Sequence, residues 1–285
     1  DGFGDWTRPL LPSVDMALLL GTNALAPFDQ GARQRFIWTL SPDDVAALEG
    51  RVVLFGVGAN KAFETVAPAQ RDRLSRLLSP RVAHSVRDDL GRQIVEAAGH
   101  RAINTSCPTL WRLAQTQPAL PKVRADSVCF TLTAHKADAQ DATLVESLRA
   151  LYDTLFFWPQ QPRDLDYLNS LGDAGRGISV IPPNLDAYDA LLAKRRPDVV
   201  GTRLHGTIRG LQHGCRALVL AIDNRAAEIG RETGLPVLHR DAVGADLADL
   251  LSSDFARVPV VPQEAVSRFL GQLGLCDHDA RGRTI

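Results

Sequence analysis

Arg203 and His205 stand two residues apart where an apolar run, Asp198-Val-Val-Gly201, gives way to a segment of helical character from Thr207 to His213. A fixed cation beside a titratable imidazole is the combination needed to hold an anion and move a proton next to it. Residues i and i+2 of an extended segment project to one side, so Arg203 and His205 are expected to converge on one ligand while Leu204 packs behind them. The amides of Gly206, Thr207 and Ile208 would open the helix as donors suited to a phosphate or a carboxylate. The competing interpretation is a surface arginine and a capping histidine at a strand end. Spacing alone does not choose between the two.

The elements around this tetrapeptide read as a βαβ unit, with Arg216 to Ile222 as the next strand. In open α/β sheets the crevice beyond the carboxyl ends of the strands is where ligands bind. Strand and helix patterns alternate through both halves of the chain, which predicts an α/β fold with parallel sheets covered on both faces. In the first half, Val14 to Leu20 and Arg51 to Phe55 are of strand length and end in the loops Gly21-Thr22-Asn23 and Gly56-Val57-Gly58. Helical spacing follows at Ser41 to Leu48, opening on Ser-Pro-Asp-Asp, and at Ala69 to Leu78. Arg87 sits at the start of another helix, whose Leu90, Ile94 and Ala98 share one face before Gly99 stops it.

Two prolines and no periodicity between Gln115 and Asp126 mark a linker, which places one domain at 1–120 and a second at 121–285. The second restarts with a strand from Ser127 to Thr133 and a helix from Ala142 to Phe156, striped by Leu144, Leu148, Leu151 and Leu155. The helix from Gln263 to Leu273 is expected to close this domain, and Asp277 to Ile285 reads as a polar tail.

With 45% hydrophobic and 23% charged residues in 285, a real core is expected. A net charge of −1 with interspersed signs carries no footprint for nucleic acid or an anionic membrane, so any anion must be caught locally. No stretch approaches the ~20 apolar residues of a membrane span. Cys107, Cys129, Cys215 and Cys276 are widely separated, which predicts packed, reduced thiols and a cytoplasmic setting. The opening Asp1-Gly-Phe-Gly-Asp5 looks like the middle of a turn, so a first strand is expected to lie ahead of it.

Other candidate motifs are weaker. Gly56-Val57-Gly58-Ala59-Asn60-Lys61 follows a strand, yet Lys61 occupies the third glycine position of a dinucleotide fingerprint. Asp164-Leu-Asp166 resembles the paired acids of metal-dependent glycosyltransferases, but no further ligand cluster stands near, and no metal is expected. His84, His100, His135, His213 and His239 are scattered singly. No G-x-S-x-G elbow is present.

Taken in order, Gly4-Asp5, Gly21-Thr22-Asn23-Ala24-Leu25, Gly56-Val57-Gly58, Ser85-Val86-Arg87-Asp88-Asp89-Leu90, Cys107-Pro108-Thr109-Leu110 and Thr202-Arg203-Leu204-His205-Gly206 resemble the landmarks of the polysaccharide pyruvyl transferases. Gly2 stands where that family usually shows Asn, and Gly21-Thr22 replaces its paired glycines. The resemblance implies two Rossmann-like domains facing across a cleft, similar to the GT-B glycosyltransferases. It further implies transfer of the pyruvyl group of phosphoenolpyruvate to hydroxyls of a saccharide or lipid-linked glycan as a ketal, with no cofactor. On that basis Arg87, Arg203, Leu204, His205, Gly206 and Thr207 would bind the donor, and His205 would protonate its methylene carbon. Asp5, Asn23 and Gly58 would line the acceptor. The alternative on the same fold is a glycosyltransferase using a nucleotide sugar.

Overall fold

The computed structural model describes residues 3–26, 40–59 and 62–275. They divide into two compact units, Asp1–Trp111 with Val261–Ile285, and Arg112–Val260.

The first unit holds strands β1 (Ala17–Leu20), β2 (Val52–Phe55), β3 (His84–Val86) and β4 (Ala102–Asn104), paired in parallel as β1-β2 and β3-β4. A parallel bridge between Val57 and Val86 and the 3.0 Å bond from the Gly56 amide to Ser85 O join the pairs. Leu25, Leu54, Leu74, Leu77, Val86 and Ile94 form its core. The segment ahead of Ala17 is a 3-10 helix, Arg8–Ser13, and not the start of the strand; its prolines lack the amide a ladder requires. Helix α1 (Pro42–Ala47) starts as its N-cap signal predicts, with reciprocal 3.1 Å bonds between Ser41 and Asp44. Helix α2 spans Pro68–Leu77, and α3 (Asp89–Ala97) is capped by Asp88 and followed by Gly99 at φ +83°.

The second unit begins within α4 (Pro108–Thr116), ahead of the linker at 115–126. Its strands β5 (Ser127–Thr131), β6 (Thr154–Phe157), β7 (Ser179–Val180), β8 (Asp198–Gly201), β9 (Ala217–Ala221) and β10 (Val237–His239) form one parallel sheet in the order β10-β9-β8-β5-β6-β7. Counted within the unit, this is the doubly wound dinucleotide-fold order, with the direction of winding reversing between β5 and β8. Helices α5 (Gln140–Leu151), α6 (Pro162–Ser170), α7 (Leu185–Arg195), α8 (Leu204–Gln212) and α9 (Asn224–Thr233) make the crossovers, and α10 (Val243–Ser252) follows the last strand. The helix expected to run to Phe156 ends at Leu151, and Leu155 belongs to β6. Thr154-Leu-Phe-Phe is a β-branched and aromatic run that suits a buried strand. Extended Tyr152 makes the break, its hydroxyl donating to buried Asp198 at 2.7 Å.

Helix α11 (Gln263–Gln272) packs on the first unit. Phe269 inserts among Val53, Val82, Ala83 and Ile103, edge-on to Phe55 at 5.3 Å, and Gln272 Oε1 accepts the Ala83 amide at 2.7 Å. The polar tail and Cys276 lie outside the described residues. Among the described residues no helix is long and apolar enough to cross a membrane.

Candidate active site

The winding reversal puts the ends of β5 and β8 side by side. Gly201 lies against Thr131 so closely that a Cβ there would stand 2.7 Å from the Thr131 amide nitrogen. Thr202 donates its amide to Thr131 O at 3.1 Å and shares a 2.8 Å hydroxyl bond with Thr133. The Arg203 amide bonds Thr131 Oγ1 at 3.2 Å. Arg203 is the extended N-cap of α8, which begins at Leu204, three residues before the start read from the sequence. The Thr207 amide already bonds Arg203 O at 3.1 Å, so Thr207 and Ile208 lie inside the helical ladder. The amides that the helix leaves without internal acceptors are those of its first turn, from Leu204 to Gly206, and no side chain caps them at Arg203.

His205 is therefore helical and exposed, and the strand rule that aligned it with Arg203 does not apply. Leu204 is buried behind it, as expected. Gly206 permits close packing: Tyr188 Oη donates to its carbonyl at 2.9 Å, and a Cβ would stand 2.7 Å from Gln160 Nε2 and 3.2 Å from the Trp158 ring. Trp158 stacks on Tyr188 at 3.9 Å and 4°.

Asp164, which the sequence offers only as half of a possible metal pair, is the partner of Arg203 here. Fully buried in the first turn of α6, it accepts the amides of Ala134, Gln160 and Gln161 at 3.1, 3.2 and 3.0 Å. Its two oxygens also accept Arg203 Nη2 at 2.8 and 2.7 Å. One carboxylate thus ties the loops after β5 and β6 to the start of α8. Asp166 is exposed while Asp164 is buried against Arg203, and the described residues contain no cluster of three or more His, Cys, Asp or Glu placed to hold a metal. The available signal was Gln161-Pro-Arg-Asp164, with proline at the first helical position and an acid three residues after the cap, which fixes a carboxylate at a helix start.

In the first unit, the loops after β1, β2 and β3 interlock. Gly58 donates its amide to Thr22 O at 2.8 Å and accepts the Leu25 amide at 3.2 Å. Arg87, only 1% exposed, donates its own amide to Val57 O at 3.1 Å and Nη2 to Asn23 Oδ1, with Nε 3.9 Å from Asp88. The space where a Gly58 side chain would be is filled by Arg87 and Asp88. Asn23, Gly58 and Arg87 are thereby brought together. Asp5 is exposed in the turn whose Gly4 carbonyl accepts the Thr7 and Arg8 amides, and no contact joins it to these three among the described residues. Asn60 and Lys61 lie outside the described residues.

The histidines are not all single: the rings of buried His84 and of His100 meet edge to face at 5.5 Å. Burial, then the neighbouring His100 charge, pulls the His84 pKa down to about 4. Cys107, Cys129 and Cys215 are buried, and burial pushes the Cys215 thiol up to about 12, as suits packed rather than reactive sulfur.

A family model described as polysaccharide pyruvyl transferase matches residues 13–224. A search of curated proteins finds no match. The matched segment covers well over half of the chain and takes in Asn23, Gly58, Arg87, Asp164, Arg203 and His205. The chain belongs to the polysaccharide pyruvyl transferase family.

Proposed function

We propose that the chain transfers the pyruvyl group of phosphoenolpyruvate to two hydroxyls of a saccharide, with the donor held at the start of α8. The observation that carries this reading is the position of Arg203 and His205 at the winding reversal of the second unit's sheet, within a segment matched by the family. Arg203 supplies a cation for an anionic group of the donor, and exposed His205 supplies the proton. The imidazolium gives its proton to the methylene carbon, the first hydroxyl adds to C2, and that hydroxyl's proton returns to the imidazole. The C2–O bond to phosphate then breaks, the second hydroxyl adds to C2, and its proton leaves on the phosphate. Phosphoenolpyruvate trianion and diol become ketal carboxylate and hydrogen phosphate, with charge conserved.

Burial gives no support to Arg87 as a donor ligand. It enters this reading as the residue that orders Asn23, whose amide group and the exposed Asp5 carboxylate are the polar groups we assign to the acceptor. Gly58 has both backbone groups committed and contributes space for Arg87.

Thermal stabilisation by phosphoenolpyruvate, tested against nucleotide sugars, checks the donor. A ligand at 100 times its Kd adds about 2.7 kcal/mol, and stabilisation by a nucleotide sugar alone would favour glycosyl transfer. With the donor in hand, His205→Ala is expected to lower turnover on the order of 10²-fold or more and leave phosphoenolpyruvate affinity within about threefold. An unchanged rate removes His205 from the chemistry.

A further inference from the structure

The donors of Arg203 are unequally committed. Nε points at Leu132 O at 3.3 Å, and Nη2 is taken by both oxygens of Asp164. The hydrogen bonds that Arg203 makes among the described residues use Nε and Nη2 and leave Nη1 aside, and the side chain keeps 14% exposure. A guanidinium grips a carboxylate with two parallel N–H groups, from either Nε with Nη2 or Nη1 with Nη2. Nη2 is common to both grips, and Asp164 occupies it. The aspartate cannot turn aside, since three backbone amides from two loops hold it.

We infer that Asp164 is a positioning residue that limits Arg203 to one outward nitrogen, Nη1, so that Arg203 meets the phosphate of the donor and not its carboxylate. This inference rests on the phosphoenolpyruvate reading above. A phosphate spreads its oxygens tetrahedrally and is well served by single donors from several directions, whereas a carboxylate is distinguished by the planar two-point grip that Asp164 removes. The phosphate is also the group that departs, and a single contact follows it as the C2–O bond lengthens.

Titration calorimetry on the full chain, with inorganic phosphate and pyruvate as separate probes, tests this in the wild type, Arg203→Lys, Arg203→Met and Asp164→Ala. A one-point contact predicts that Arg203→Lys keeps phosphate affinity within about threefold, while Arg203→Met loses about tenfold, the usual scale of a hydrogen bond to a charged group. Pyruvate affinity should be the same in these three proteins. Asp164→Ala releases Nη2 and should shift the pyruvate-to-phosphate affinity ratio at least about threefold toward pyruvate, a change that simple loss of helix capping would not produce. Where Asp164→Ala does not fold, the lysine and methionine variants decide alone. Equal losses for phosphate and pyruvate in Arg203→Met, or a lysine variant as weak as the methionine one, overturn the inference. A wild type that binds phosphate through Arg203 yet ignores phosphoenolpyruvate defeats the donor assignment instead. One that binds phosphoenolpyruvate with phosphate affinity indifferent to Arg203→Met defeats only the inference.

Discussion

His84 offers a stability measurement whose size follows from its surroundings. Its Nδ1 accepts the Leu54 amide at 3.3 Å, and Nε2 is buried without a hydrogen-bond partner among the described residues. Burial disfavours a charge on this ring, the neighbouring His100 adds to the effect, and the Ser79 backbone offsets it only in part, so the folded pKa falls from 6.5 to about 4. The unfolded chain takes up the proton near pH 6.5 and the folded chain only near 4. The contribution is therefore complete above 6.5, shrinks as the pH falls below it, and is gone below about 4. At about 1.4 kcal/mol per unit of separation the whole interval amounts to about 3 kcal/mol, of which about 2 is lost by pH 5. His84→Asn places a non-titrating carboxamide oxygen near Nδ1. Urea unfolding of both proteins between pH 8 and 4.5, followed by tryptophan fluorescence, reads the difference. Trp111, packed at 5.2 Å on Phe55, reports on the same unit. Asp44 is held to about 2, chiefly by its hydrogen bond with Arg8, and titrates below this window. Asp141 and Asp198, raised by burial, are present in both proteins and cancel. The wild type should lose about 2 kcal/mol more than the variant by pH 5; parallel curves would refute the account.

Other expectations concern the two loop clusters. Asp164→Asn should cost about 2–4 kcal/mol in urea unfolding, the lower part of the range for breaking a buried pair because Arg203 keeps some contact with water. A double-mutant cycle with Arg203→Met should return a coupling of about 1–3 kcal/mol, and additive losses would show that the pair is incidental. Gly58→Ala forces a methyl into space held by Arg87 and Asp88, and should cost about 1–3 kcal/mol; a change within about 0.5 kcal/mol would mean that the loops adapt freely.

The alternation of strand and helix was legible because long crossover helices and apolar strands leave strong patterns. Strands β3 and β4, three residues each, offer no period to detect and were missed. The helix overrun at Leu155 arose because a leucine stripe at helical spacing continued by coincidence into Thr154-Leu-Phe-Phe. At the candidate site, Arg203 and His205 stand out by residue type alone, whereas the start of α8 lies three residues ahead of the sequence reading because Gly206 and Thr207 resemble a helix opening more than Leu204 does. Asp164 was visible only as half of a possible metal pair. Its actual partner is 39 residues away, a pairing that arises from the winding of the sheet and leaves no local trace.

The return of α11 to the first unit bears on how the chain is made. Residues up to Trp111 emerge from the ribosome with Val53, Phe55 and Ile103 uncovered, because Phe269 is translated more than 150 residues later. At roughly 5–20 residues per second, that face waits on the order of 10–30 s for its cover. The second unit is contiguous and completes its sheet before the first receives its last helix. Release of a nascent chain truncated just before Val261 should therefore yield a folded second unit joined to a first unit that is sticky and bound by chaperones, whereas extension by the twelve residues through Gln272, the end of α11, should seal it.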